Sequence, residues 1–210
     1  NEKLSEIESK IQDISLFFRA NKIKVTKELF IEKFDRSKPD FSAIAPRAAK
    51  QAPQAVIFIG TGAAVVDGIK ALRTAGVSGQ IVTLSNNASG GFTKALGDQA
   101  RGVVVTQVVP SPFKTSHPLA REFQAALQKS GASLQPDYSS MEGYLAARVV
   151  GEALKSAAAA GRLQRDGLVA ALEAMNGQQV AGFPIAFRPQ AGKPRFVELS
   201  MLTGDGKVRV

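Results

Sequence analysis

Two polar segments that each follow an apolar run carry the residues best suited to hold a small molecule. Gly60-Thr61-Gly62 ends the first run, and Ser85-Asn86-Asn87 ends the second. In parallel sheets, ligands bind in the crevice beyond the carboxyl ends of the strands. Both segments offer small or hydrogen-bonding residues and no acid, base or thiol at that position. The pattern predicts a site that binds a molecule without transforming it.

The Gly60-Thr61-Gly62 segment also precedes a helix, which is typical of phosphate and dinucleotide loops. The third glycine of that fingerprint is absent, because Val65 stands in its place. Ser85 ends the next strand where an acid would bind a ribose, and the chain has no GxxxxGK[ST] sequence. A nucleotide-dependent enzyme is therefore disfavoured. A tight turn that requires small residues remains the structural alternative for this segment.

A second group of polar side chains lies near the predicted start of a helix. Tyr138, Ser139, Glu142 and Tyr144 all fall within seven residues of sequence. They are candidates for contact with a ligand. The structural alternative is a capping arrangement in which Ser139 or Ser140 acts together with Glu142.

Residues that usually carry catalysis or bind metals are scarce. The chain has no cysteine, and its one histidine, His117, precedes Pro118 at a predicted helix start. No GxSxG elbow is present, and four carboxylates fall at amphipathic positions inside predicted helices, where they face solvent: Asp67, Glu122, Glu152 and Glu173. We therefore expect no catalytic residue, no metal ion and no cofactor.

The elements that position these residues alternate between strand and helix. Apolar runs at residues 56–59, 81–84 and 103–109 predict strands, and an amphipathic helix at 63–75 ends at Gly76. This order predicts an α/β fold with a three-layer sheet and flanking helices, the first two strands being parallel. Further helices are predicted at 44–50, 92–96, 118–129, 141–160 and 164–175, and further strands at 183–187, 196–202 and 207–210.

The excess of basic residues could indicate binding to nucleic acid, but the distribution of those residues does not favour this interpretation. The chain has 27 Lys and Arg against 18 Asp and Glu, for a formal net charge of +9. The basic residues are spread singly, and no aromatic residues alternate with them as stacking platforms. Solvated basic faces explain the charge, so we predict no nucleic-acid partner.

Residues 1–33 differ in composition from the remainder. They contain no Gly, no Pro and a single Ala. Five apolar residues recur at helical spacing: Leu4, Ile7, Ile11, Ile14 and Phe18. We predict a helix followed by a strand. The segment is foreign or engineered, or else it is a divergent natural start.

From residue 34 to residue 210 the sequence resembles the type I periplasmic solute-binding proteins, the branched-chain-amino-acid-like receptors of ABC transporters. The resemblance rests on the order and spacing of APQAV, ARGVVVTQVVP, YSSMEGYLAARV, GFPIAFRP and FVELSMLTGDGKVRV. In this family two lobes clamp one ligand. The resemblance implies a second-lobe α/β unit at 34–109, helices returning to the first lobe at 110–182, and closing strands of the second lobe at 183–210. The first lobe would be incomplete.

The resemblance also implies a function and a site. It implies a periplasmic protein that binds a small carboxylate or amino-acid-like ligand without catalysis and delivers it to a membrane permease. The ligand-binding residues would be Gly60, Thr61, Gly62, Ser85, Asn86, Asn87, Tyr138 and Glu142. Members that bind amino acids usually carry an acid in the loop at 85–87. An amide there cannot neutralise an ammonium, which favours an uncharged or anionic ligand. An Asx turn is the structural alternative.

An incomplete first lobe has a consequence for association. The helices at 118–175 would lack their sheet, leaving exposed a set of apolar side chains: Phe123, Leu127, Leu145, Val149, Leu154, Leu168 and Leu172. The chain would then need the missing lobe portion or a second chain as a partner. A ligand-free interaction protein, or an engineered fusion fragment of a solute-binding protein, is the alternative function.

Overall fold

The computed structural model describes residues 30–131, 133–187, 196–204 and 207–210. The chain divides between Lys33 and Phe34, and the helices and strands described all belong to the part that begins at Phe34. Six helices are found in the described residues: α1 (Ile44–Lys50), α2 (Gly62–Thr74), α3 (Gly90–Leu96), α4 (Pro118–Ser130), α5 (Tyr138–Ala159) and α6 (Arg165–Ala174).

Five strands form one sheet in the order β1-β2-β3-β6-β7. They are β1 (Ala55–Phe58), β2 (Gln80–Thr83), β3 (Val104–Gln107), β6 (Glu198–Leu202) and β7 (Val208–Arg209). β1, β2 and β3 are mutually parallel, whereas β6 is antiparallel to both β3 and β7. The predicted α/β class, the shared sheet of the first three strands and the parallel pairing of the first two are confirmed.

The two faces of this sheet differ in their cover. The register places Phe58, Thr83, Val105 and Ser200 in one row, and all four side chains are buried. The next row, on the opposite face, ends at Ile57 and Met201, whose side chains are 51% and 44% exposed. One face therefore carries the core, and the other presents apolar side chains to solvent.

Buried side chains form two hydrophobic clusters. The sheet cluster lies between the sheet and helices α1–α3 and includes Val65, Ile69 and Ile81. The helix cluster includes Leu119, Phe123 and Met141 from α4 and α5. Ala88 and Val208 pack against both clusters, so these two residues mark where the clusters meet.

The expected exposure of the apolar faces of helices α4–α6 is wrong for most of them. Phe123, Leu145 and Val149 are buried in the helix cluster, and three more side chains pack against it, namely Leu127, Leu168 and Leu172. Leu154 alone of the seven is exposed, at 41%. The helices bury these faces against one another, because α5 contacts both α4 and α6.

A short ribbon that the sequence did not predict lies between α6 and β6. Gln179–Val180 (β4) pairs antiparallel with Phe183–Pro184 (β5). Its turn places Ala181 and Gly182 at φ values of 48° and 77°. The strand predicted at 183–187 is therefore confined to its first two residues.

Candidate functional site

Two loops leave the same edge of the sheet, because β1 and β2 are parallel and their carboxyl ends are neighbours. Gly60, Thr61 and Gly62 follow β1, and the 3-10 turn Ser85–Asn87 follows β2. The structure thus brings together the two polar segments that the sequence singled out. Both stand at the position where ligands bind in sheets of this kind.

The side chain of Asn87 joins these two loops. Its Oδ1 accepts a hydrogen bond from the Gly62 amide at 3.1 Å, and its Nδ2 donates to the Gly60 carbonyl at 3.2 Å. Nδ2 also lies 3.0 Å from the Thr83 hydroxyl, which in turn donates to the Phe58 carbonyl. Asn87 is only 2% exposed. It positions the loops, and direct contact with a solute would require one of these bonds to be exchanged.

Asn86 and Thr61 are the exposed hydrogen-bonding side chains at this edge. Asn86 Nδ2 donates to the Gly60 carbonyl at 3.1 Å, and its Oδ1 accepts from Asn87 Nδ2 at 3.2 Å. Thr61 occupies the N-cap position of α2, but its hydroxyl makes no capping hydrogen bond. Ser85 is half-buried beside them. The edge therefore offers amide and hydroxyl groups to a solute.

The start of α5 is fixed by a capping box. Asp137 Oδ1 accepts hydrogen bonds from the Ser140 amide and from the Ser140 hydroxyl, both at 2.7 Å, and Ser140 Oγ accepts from the Asp137 amide at 3.1 Å. The capping alternative predicted from the sequence thus applies to Ser140. Its partner is Asp137 rather than Glu142, which is exposed together with Ser139. The sequence signal was present, since Asp is among the preferred N-cap residues.

The start of α5 lies against the loops at the sheet edge. The Ser85–Asn87 turn contacts α5, and the Gly90 amide lies 3.4 Å from Asp137 Oδ2. The intervening Ala88 packs against both hydrophobic clusters. Asp137 was not among the residues selected from the sequence, although its carboxylate lies in this region.

Tyr138 is buried at this junction, with 2% of its surface exposed. Its hydroxyl makes no hydrogen bond of standard geometry to any described residue. Burial raises the pKa of this phenol to about 12; the Ser111 side chain opposes the rise, and the charge of Glu198 adds to it. The phenol is therefore neutral at all physiological pH values.

The described part of the chain holds no cluster of three His, Asp or Glu side chains suited to a metal ion. The four carboxylates noted above do not form a catalytic pair: Glu122 and Glu152 both bind Arg148 on the surface of α4 and α5. Within the same residues, no helix has the length and apolar character that crossing a bilayer requires.

Comparison with known proteins relates this chain to one protein family. A family model described as periplasmic binding protein matches residues 9–196. That match begins inside the compositionally distinct segment at residues 1–33. No curated protein matches the chain.

Three solved structures illustrate the likeness. An extracellular ligand-binding receptor from Verminephrobacter eiseniae ef01-2 is 31% identical, with a TM-score of 0.73 over 94% of this chain and 56% of that one. A possible leucine/isoleucine/valine-binding protein from Rhodopirellula baltica SH 1 is 28% identical, with a TM-score of 0.66 over 76% and 43%. A substrate-binding periplasmic protein from Ralstonia solanacearum is 27% identical, with a TM-score of 0.66 over 82% and 50%. The present chain spans about half the length of these structures.

Proposed function

The chain belongs to the periplasmic binding protein family, and on that basis we propose that it is part of the solute-binding component of an ABC importer. The complete protein would hold a small carboxylate or amino-acid-like ligand in a cleft between two lobes. It would release that ligand unchanged to a membrane permease. The family supports a location in the periplasm or outside the cell.

The observation that carries this proposal is the meeting of three segments at one edge of the sheet. The loops after β1 and β2 are joined by Asn87, and the start of α5 lies against the second of them. Thr61 and Asn86 remain exposed there. Small, uncharged, hydrogen-bonding groups on rigid elements are suited to binding a solute and poorly suited to acid-base or nucleophilic chemistry.

The charge of these groups favours a carboxylate over a lone ammonium. The exposed amide of Asn86 and the hydroxyl of Thr61 can donate hydrogen bonds to a carboxylate, whereas the Gly62 amide already donates to Asn87 Oδ1. The loop at 85–87 offers no anion to pair with an ammonium, and burying an unpaired ammonium costs several kcal/mol. Asp137 is nearby, but its Oδ1 already accepts two hydrogen bonds from Ser140.

The Rhodopirellula relative is described as a possible leucine/isoleucine/valine-binding protein. For this reason an amino-acid-like ligand stays within the proposal. Such a ligand would require another anion for its ammonium, either Asp137 or one supplied by sequence beyond this chain. Tyr138 and Glu142 would then contribute from the α5 side of the cleft.

Binding would proceed by closure of the two lobes. The hinges would be residues 109–112, between β3 and α4, and residues 178–183, around the β4–β5 ribbon. The third crossing would belong to the part of the relatives that this chain does not span. The same part, or a second chain, would cover the open face of the sheet at Ile57 and Met201.

The alternative function is that of a ligand-free interaction protein or an engineered fusion fragment. The distinct composition of residues 1–33 is the observation that favours it. The sequence of the encoding gene tests the fusion alternative. A natural reading frame that continues through residue 33 would exclude an engineered fusion.

A thermal-shift screen of the complete protein tests the proposed function. A panel should contain aliphatic and aromatic carboxylates and the amino acids that correspond to them. We expect a dose-dependent rise in melting temperature with at least one compound. Mass spectrometry of that compound after its release from the protein should show it unchanged. Absence of any shift across both classes, or recovery of a transformed compound, would contradict the proposal.

A further inference from the structure

The crossing segment, residues 109–112, is held from both sides. The Ser111 amide donates a hydrogen bond to Glu198 Oε2 of β6 at 3.1 Å. On the other side, Gln124 of α4 donates from Nε2 to the Pro112 carbonyl at 2.7 Å. Both Ser111 and Pro112 are buried. The carboxylate of Glu198 is thus one of the two attachments of the segment that links the sheet to α4.

His117 caps the helix that this segment enters. Its Nδ1 accepts a hydrogen bond from the Leu119 amide at 3.2 Å, directly ahead of Pro118 at the first helical position. An imidazole nitrogen accepts a hydrogen bond only when it carries no proton. The cap therefore requires a neutral ring whose proton lies on Nε2.

Three charged groups act on the His117 ring. Burial lowers the pKa of His117, Glu198 of β6 opposes this, and Lys114 of the preceding loop and Arg121 of α4 lower the pKa further. Arg121 is itself anchored to the loop, because its Nη1 donates to the Thr115 and Ser116 carbonyls. From α5, Tyr138 stands near Glu198 but remains uncharged. Glu198 is thus the favourable partner for a protonated ring.

We propose that His117 and Glu198 form a pH-sensitive joint at the crossing segment. At neutral pH His117 caps α4, and Glu198 binds the Ser111 amide. When His117 takes up a proton from solvent at Nδ1, the bond to Leu119 is lost. The imidazolium then competes with the Ser111 amide for the Glu198 carboxylate, and the segment between the sheet and α4 loosens.

The direction of the effect follows from proton linkage. The pKa of His117 is lower in the folded chain than its ordinary value of 6.5, so the unfolded chain binds more protons in that window. The stabilising contribution is complete above about 6.5 and is lost as pH falls through the folded-state pKa. Acidification therefore weakens the cap and the crossing together. This inference concerns the hinge and does not require a ligand.

Nuclear magnetic resonance of the imidazole nitrogens in the complete protein tests the first half of the proposal. At pH 7.5 we expect the Nε2–H tautomer for the signal that disappears in a His117→Asn variant. The opposite tautomer would overturn the proposal. The tautomer is read on the unmodified protein, and the variant serves only to assign the signal.

Hydrogen exchange of the Ser111 and Leu119 amides tests the second half. After correction for intrinsic rates, we expect protection at both amides to fall by about fivefold from pH 7.5 to pH 5, as loss of an N-cap of ~1 kcal/mol implies. His117→Asn keeps a capping acceptor that does not titrate and should abolish the change at both amides. Glu198→Gln keeps an acceptor for Ser111 without the charge and should abolish the change at Ser111. At Leu119 it should move the change to lower pH, because the Glu198 charge raises the pKa of His117. An unchanged pH response in His117→Asn would overturn the proposal, whatever the complete protein binds.

Discussion

The side-chain oxygen of Asn87 accepts a hydrogen bond from the amide of Gly62 across 25 residues of sequence. Through this bond the loop after β2 fixes the first residue of α2. The Asn87 amide nitrogen fixes Gly60 at the same time. The geometry of the two loops therefore depends on one buried side chain, and the groups offered to a solute depend on that geometry.

Replacing Asn87 by Asp should destabilise the protein by about 3 kcal/mol. The substitution removes the donors to Gly60 and Thr83 and buries a carboxylate among acceptors. Urea denaturation measures the free energy of unfolding. Asn86→Asp is the matched control: its side chain is exposed, so the change should stay within about 0.5 kcal/mol. Equal stability of the two variants would show that the Asn87 bonds do not hold the loops.

Gly68 of α2 should not tolerate a side chain. A Cβ at this position would lie 2.3 Å from Phe58 Cζ and 3.0 Å from Phe41 Cζ. Those two rings pack against each other with centroids 5.7 Å apart. We expect Gly68→Ala to cost about 1–3 kcal/mol of unfolding free energy through overpacking.

Gly143 of α5 provides the control for that substitution. Among the described residues, no heavy atom beyond the adjoining residues and the helix's own backbone would lie within 4 Å of a Cβ at this position. Gly143→Ala should therefore stabilise the protein by about 0.5–1 kcal/mol, because alanine is the better helix former. A stabilising Gly68→Ala would mean that the Phe41 and Phe58 rings are free to move apart.

Asp137 should stabilise the protein through the hydrogen bond that caps α5 and not through its negative charge. Asp137→Ala removes the acceptor for the Ser140 amide and should cost about 1 kcal/mol. Asp137→Asn retains an oxygen acceptor and should cost only about 0.3 kcal/mol. Thermal unfolding of both variants measures the difference. If Asn is as harmful as Ala, the carboxylate charge near the Gly90 amide matters more than the cap.

Hydrophobic periodicity was sufficient to predict the sheet and the main helices. The apolar runs at 56–59 and 81–84 and the helix between them were predicted to within about one residue, because Gly60, Gly76 and the polar Ser85–Asn87 segment mark their ends. The β4–β5 ribbon was not predicted, since its strands have two residues each and Ala181 adopts a positive φ that alanine rarely adopts.

The site was predictable in part. Residue types selected both loops, because parallel strands end at one edge. The different roles of Asn86 and Asn87 were not predictable, since they depend on hydrogen bonds between loops that are distant in sequence. The burial of Phe123 and Val149 was not predicted. Their helices were expected to be exposed because the first-lobe sheet would be absent, whereas the helices pack against one another.

Asn86→Asp in the complete protein should change the charge preference of the solute site. A fixed negative charge near the polar head of a carboxylate ligand should weaken its binding by about 1–3 kcal/mol, or roughly 5- to 150-fold. Asn86→Ser, which is polar and neutral, is the control. Isothermal titration calorimetry with the solute recovered in the thermal-shift screen measures both. Equal affinity of the Asp and Ser variants would place Asn86 away from the charged end of the ligand.

The central proposal is that the solute site of the complete protein prefers a carboxylate to the amino acid that corresponds to it. Calorimetry of the complete protein with matched pairs, 4-methylpentanoate with leucine and 3-phenylpropanoate with phenylalanine, tests it most directly, because the members of each pair differ only by the ammonium. We predict that the ammonium-free member binds at least about tenfold more tightly, a difference of about 1.4 kcal/mol. Binding of leucine that equals or exceeds that of 4-methylpentanoate would contradict the proposal.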